Sequence, residues 1–355
     1  MRRILIIGMG LLVLLVAGHM LAWRWAEQRL NQGFASWTAA RRAAGWTVTS
    51  GTPVQGGWPL AAELTIPDLF IAGGQPDIPG GLTWSTARVV LGVALLHPRA
   101  LSIGMEGMQR LRLAEGPDIP FTADRFRATV PLEPGVPARA VDVAVTNLRA
   151  GVPGEAAAGE TVPHGLTVAL MQMHAELKPA AAQGEPAIPF TGSAQDISLP
   201  NTPNVAWPLG PRIASLSMEG ALNGPLPRGA DLVARATAWR DGGGTFEIRR
   251  LALGWGPLGL AGSATLALDE QLQPMGAGTA HIIGQDATLD ALGAGHTINA
   301  RTATAAKAVL SLLGRVPEDG GAPEVDVPLT LQASTLAMGR IPLTRVPHLE
   351  WPAAP

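Results

Sequence analysis

The chain of 355 residues has no cysteine. Disulfides, thiol catalysis and cysteine metal sites are therefore excluded, and the composition is compatible with an oxidising compartment. Tyrosine is also absent. Only two lysines occur, Lys178 and Lys307, so nearly all positive charge is arginine. Charged residues make up 15% of the chain, against a usual ~25%. A net charge of −2, with no basic run interleaved with aromatics, argues against nucleic acid as a partner.

Long apolar runs are equally scarce, with one exception, Ile4 to Ala22. It carries no charge, and His19 is its only strongly polar side chain. As a helix it is roughly 28 Å long, close to the ~30 Å apolar core of a bilayer. Arg2 and Arg3 precede it, which suits a secretory signal or an uncleaved signal-anchor. The run exceeds the usual apolar stretch of a cleaved signal, and Ala17 to Ala22 offers poor small-x-small sites, so an anchor is expected. Ile4, Leu11 and Leu15 then face lipid, and Trp23 and Trp25 sit where interfacial aromatics belong. Residues 1–3 are placed in the cytoplasm and the large remainder on the other side of the membrane. A buried core helix is the competing reading.

What is abundant is glycine and proline, 43 and 31 residues, together about a fifth of the chain against a usual ~12%. Short apolar runs between them indicate many strands and turns. The expected fold is mainly β, with antiparallel, curved or sandwich-like sheets, an N-terminal transmembrane helix and a short C-terminal helical pair. Residues 23–45 read as a stem helix, with Leu30, Phe34 and Trp37 on one face and Gly45 as terminator. Residues 46–150 form a first β-rich region and 166–355 a second, with helices near 286–314. In the first, Ala62 to Ile66 alternates up to Pro67, and Leu69 to Ile71, Leu82 to Trp84, Ala87 to Val93, Leu101 to Met105, Leu111 to Leu113, Phe126 to Val130 and Val141 to Val145 follow. In the second, Lys178 to Pro189 reads as a loop before a strand at Ala194 to Leu199. Gly242 to Gly244 reads as a hairpin turn, and Gly262 as a bulge or tight approach within a strand from Leu258 to Leu268. Asp286 is expected to cap a helix to Leu292, and Thr302 to Leu313 to form another. The tail from Val346 to Pro352 reads as edge-like.

No catalytic, cofactor or metal site emerges. The seven histidines, His19, His97, His164, His174, His281, His296 and His348, lack the i, i+4 spacing of a zinc pair. Serines lack the Gly-x-Ser-x-Gly elbow. Glu106 and Glu219 recur in Met-Glu-Gly triplets that hint at a repeat, and they suit acid/base work only if the fold brings them together. Turn or strand-end roles are the alternative.

Several motifs carry a family likeness. Gly45-Trp46-Thr47-Val48, Gly57-Trp58-Pro59, Trp84 and Met105-Glu106-Gly107 mark the first half. Leu266-Ala267-Leu268-Asp269, Leu272 to Gly276, Val327-Pro328-Leu329, Gly339 to Leu343, Pro347 and Trp351-Pro352 mark the second. Together they resemble the bacterial envelope family named domain of unknown function 2125, over nearly the whole chain after the anchor. The resemblance implies a membrane-anchored periplasmic protein and brings no catalytic residues. The architecture is loosely similar to AsmA-type envelope proteins, which are anchored, β-rich and associated with lipid movement. The expectation is a non-enzymatic protein that binds lipid or another apolar envelope component on an amphipathic sheet. The alternative is an envelope scaffold contacting protein partners through strand edges.

Overall fold

The computed structural model describes residues 2–74, 80–114, 116–133, 138–151, 165–200, 207–229, 231–295, 304, 307, 324–339 and 341–351. The chain is mainly antiparallel β, with 54% of residues in strands, and divides into two compact units, Met1–Val141 and Asp142–Pro355.

Unit 1 begins with helix α1, Arg2–Ala43, 42 residues without a proline. Its end is a Schellman motif. Gly45 is left-handed (φ 82°), Gly45 N–H bonds to the Arg42 carbonyl at 3.0 Å, and Trp46 N–H to the Arg41 carbonyl at 3.0 Å. The Arg42 guanidinium then donates to the Val48 carbonyl at 2.6 and 3.1 Å, fixing the helix to the first strand. The strands are β1 (Thr47–Thr49), β2 (Val54–Gly56), β3 (Ala61–Gly73), β4 (Leu82–Ala94), β5 (Ala100–Leu113) and β6 (Ile119–Pro131). The sheet order is β1-β3-β4-β5-β6, and β2 shares the β1 edge of β3. One face is apolar because Leu64, Leu91, Ile103 and Ala128 lie in one cross-strand row, and Ile66, Val89, Met105 and Phe126 in the next. Val48, Leu64, Ile66, Leu69 and Val89 form its buried core, and Leu30 and Phe34 of α1 pack on it. Two residues of the expected stem face are thus seated on the core, while Trp37 is 36% exposed and stacks on Phe34.

A line of irregular pairing crosses this sheet. The register skips Asp68 in β3, Ala87 in β4, Glu106 to Met108 in β5 and residues 122–125 in β6. Asp68 is left-handed (φ 48°). In β3 the buried set passes from Ile66 to Leu69 across the line, and in β4 from Val89 to Thr86. The alternation therefore slips within continuous strands. Pro67 does not close a strand as expected, and Leu82 to Trp84 and Ala87 to Val93 are one strand. Pro67 instead accepts a hydrogen bond from Gly51 N–H at 2.9 Å.

Unit 2 holds the sheet β7 to β16 in sequence order. Its strands are β7 (Ala140–Ala150, whose first two residues belong to unit 1), β8 (Leu166–Glu176), β9 (Pro186–Ser198), β10 (Arg212–Asn223), β11 (Thr245–Trp255), β12 (Leu258–Leu268), β13 (Pro274–Ile283), β14 (Glu324–Gln332), β15 (Thr335–Met338) and β16 (Ile341–Arg345). β9 starts inside the segment expected to be a loop. Helix α2 (Leu232–Asp241) lies between β10 and β11, and α3 (Gln285–Ala294) follows β13. Asp231 caps α2, accepting from Val233 N–H at 2.9 Å and Ala234 N–H at 3.2 Å.

Three expectations change here, and the alternatives at Gly262 resolve. Gly242 to Gly244 end α2 rather than turning a hairpin, with Gly242 N–H bonded to the Ala238 carbonyl at 2.9 Å. The bulge opposite Gly262 lies in β11, between Ile248 and Leu251; Gly262 is the tight approach, where a Cβ would meet the Thr279 carbonyl oxygen at 2.8 Å. Gly284, not Asp286, is the N-cap of α3, and Asp286 lies in its first turn. The tail is tied back: Leu349 N–H donates to Gln273 Oε1 at 2.8 Å, and Trp351 Nε1–H to the Leu272 carbonyl at 3.0 Å. The expected helix from Thr302 to Leu313 lies outside the described residues, apart from Thr304 and Lys307, which are helical.

Candidate functional site

The first candidate is the exposed apolar half of α1. Leu11 and Leu15 expose 62% and 64% of their surface, and Trp25 61%. Ile4 lies within the same helix. α1 is long and apolar enough to cross a membrane, as an anchor or as a signal sequence, and its apolar window buries nothing inside the protein. Trp23 differs from its neighbours. It is half-buried, and its indole N–H donates to the Ala61 carbonyl at 2.9 Å. One turn earlier, His19 Nε2 lies 2.7 Å from the Pro59 carbonyl oxygen. The Trp58 ring sits between them, 5.1 Å from His19 and 5.4 Å from Trp23. The Gly57–Leu60 turn between β2 and β3 is therefore docked on the helix where its apolar run ends. The Gly-Trp-Pro turn signal was readable, but not its partner on the helix.

The second candidate is one face of the unit 2 sheet. A cross-strand row joins Met171, Ala194, Leu216, Leu253, Leu260, Ile282 and Val325. A second joins Ala175, Phe190, Gly220, Ile248, Ala264, Gly278, Leu329 and Met338. A third joins Ile188, Leu222, Phe246, Leu266, Gly276, Leu331 and Leu336. No side chain in these rows carries a charge or a hydrogen-bonding group. The opposite face is small and polar, as in the row Gln172, Ser193, Ser217, Ala252, Ala261, His281 and Asp326. Among the described residues the apolar face is sealed at its β13–β14 end, at Ala280, Val325 and Val327, and Val168 and Ile197 are buried on β8 and β9. Leu253, Leu260 and Phe190 are half-buried, Leu216 is 38% exposed and Met173 52%. Such a surface holds apolar matter by area, with no directional group to select a headgroup.

The polar candidates resolve into separate surface pairs. Glu106 pairs with Arg88 at 3.1 Å, and Glu219 lies opposite Arg250 on the neighbouring strand. Both Met-Glu-Gly triplets thus sit at irregular pairings, each glutamate facing an arginine within its own unit. His174 lies 2.7 Å from Asp142, and His281 lies 2.9 Å from Asp326 and 3.2 Å from Glu324. His348 is 3.4 Å from the Ser334 hydroxyl, and His97 is exposed. His164 and His296 lie outside the described residues. Among the described residues no group of histidines and carboxylates is arranged to hold a metal ion. Glu27 is buried on α1; burial raises its carboxyl above the ordinary value, and Arg24 partly opposes this.

Comparison with known proteins yields a family and nothing finer. No curated protein and no solved structure matches the chain, so the likeness to AsmA-type proteins has no matching relative behind it. The model of one family, described as an uncharacterized protein conserved in bacteria, matches residues 23–347, from the clamped tryptophan of the stem to the tail beyond β16. The chain belongs to that bacterial family, DUF2125.

Proposed function

We propose that this is a single-span protein of the bacterial inner membrane whose second unit binds lipid acyl chains, or another apolar envelope component, outside the cytoplasm. The observation that carries the reading is the apolar face of β8 to β15, continuous over three rows yet half-open. A sheet that served only as a core would bury such a face, because each large aliphatic side chain gains about 1.5–3 kcal/mol on full burial. The exposed apolar half of α1 supplies the membrane attachment, and Glu106, Glu219, His174 and His281 stand apart on the surface, each facing an oppositely charged neighbour, which supports a non-catalytic role. No cofactor and no nucleic acid enters this reading.

Photocrosslinking in cells tests it. A benzoylphenylalanine at Met173 or Leu216, on the apolar face, is expected to yield lipid adducts. The same probe at Thr191 or Gln195, on the polar face, is expected to yield none. Equal lipid yields from both faces, or protein adducts alone from the apolar one, would remove the lipid reading. The second reading, an envelope scaffold, draws on β16: all five of its residues are exposed, including Ile341 and Leu343, and it is the last strand of the sheet. Such an edge is suited to strand addition by a protein partner.

A further inference from the structure

We infer that two turns of unit 1 form a second membrane contact, beside the helix, which dips into the outer surface of the bilayer that α1 crosses. The inference rests on reading Ile4 to Ala22 as an anchor. The Gly57–Leu60 turn is held to α1 at His19 and Trp23, the level at which the apolar run ends. With that run in the hydrocarbon, the turn lies at the lipid–water boundary. Its side chains suit that place. Trp58 is 46% exposed and Leu60 76%. The Leu60 carbonyl accepts a hydrogen bond from Leu95 N–H at 3.1 Å, which sets the β4–β5 turn alongside, and Leu96 there is 81% exposed. Two leucines so exposed at adjacent turn tips are costly in water. Within the interface they extend the apolar surface already presented by Leu21 and Trp25 of the helix.

The rest of unit 1 points away from this level. β3 leaves the turn at Ala61, opposite Trp23, and ends at Gly73, against Trp46 beyond the helix end. Thus α1 and β3 run side by side in the same direction, and the turns at the start of β3 and of β5 are the ones at the membrane. The opposite end of β5 carries Leu113, 51% exposed, which serves as a control of equal chemistry.

The cysteine-free sequence makes the test direct. Single variants Leu60→Cys, Leu96→Cys, Leu113→Cys and Leu11→Cys of the full chain are labelled with an environment-sensitive fluorophore. They are reconstituted in vesicles of phosphatidylethanolamine and phosphatidylglycerol that carry a lipid-borne quencher. All four positions are exposed, so folding is not at stake. The expected result is quenching at 60 and 96 several-fold stronger than at 113, with iodide in the buffer quenching in the reverse order. If 11 is quenched by lipid while 60 and 96 behave like 113, the second contact is overturned and the anchor stands. If 11 also escapes the lipid quencher, the anchor reading falls and this inference with it.

Discussion

The indole of Trp23 donates to the carbonyl of Ala61 at 2.9 Å, across 38 positions of sequence. This bond joins the helix to the first residue of β3, and with the Arg42 to Val48 bonds it holds the stem at both ends.

The Trp23→Phe variant keeps the ring and loses the donor, leaving the Ala61 carbonyl without that partner. The stability of unit 1 should fall by about 1 kcal/mol. Thermal unfolding of the full chain in detergent, followed by near-ultraviolet circular dichroism, measures it. An unchanged midpoint would mean that the Trp58 ring and the His19–Pro59 contact seat the turn without it.

The Glu27 carboxyl is buried with its Oε1 unpartnered among the described residues. Its folded value is raised above the ordinary 4.5 by burial. A raised carboxyl binds its proton more tightly in the folded state, so its contribution is fully favourable below about pH 4.5 and is lost as pH rises through the folded value. Glu27→Gln should therefore stabilise the packing of the stem on unit 1 at neutral pH and change nothing near pH 4. Denaturant midpoints of both proteins across pH 4 to 8 give the comparison. A stabilisation that persists unchanged at pH 4 would assign the effect to packing rather than charge.

Leu64 is 1% exposed and Leu260 half-buried, although both lie on the apolar face of their own sheet. Leu64→Ala should cost about 2–5 kcal/mol, and Leu260→Ala about 1 kcal/mol in the absence of lipid, because less surface returns to water. Urea unfolding of each variant decides between them. Equal losses would show the unit 2 face to be a closed core, and the proposed lipid surface would go with it.

Much of this architecture was readable in the chain, and the failures have physical causes. The stem, Gly45 and most strands follow from periodicity and backbone chemistry: Leu30 and Phe34 do face the core, and Gly45 does adopt the left-handed cap. Strand lengths were misread where the alternation slips, at Asp68 and Ala87, because unpaired positions there, with a register shift between β4 and β5, change which residues face inward without ending the strand. Helix α2 was missed because it buries no residue and so carries no apolar stripe, while its one strong signal, Asp231 as cap, follows a Pro- and Gly-rich stretch that reads as loop. The apolar face of unit 2 was implicit in the even spacing of Leu258 to Leu268, but its being half-open depends on what packs against it, which no local pattern encodes. The docking of Trp58 between His19 and Trp23 joins residues about 40 positions apart, and nothing local marks it.

Helix α1 is one unbroken rod from Arg2 to Ala43 with no proline or break. Fastened to unit 1 at Trp23 and again at Arg42, it has no joint at which one half could swing independently of the other. A lean of the apolar half is therefore shared by β3 through these two fastenings, so in a bilayer crossed by α1 the tilt of the helix and the attitude of unit 1 would be coupled. The rod is a lever, and its fulcrum is the Trp58 turn.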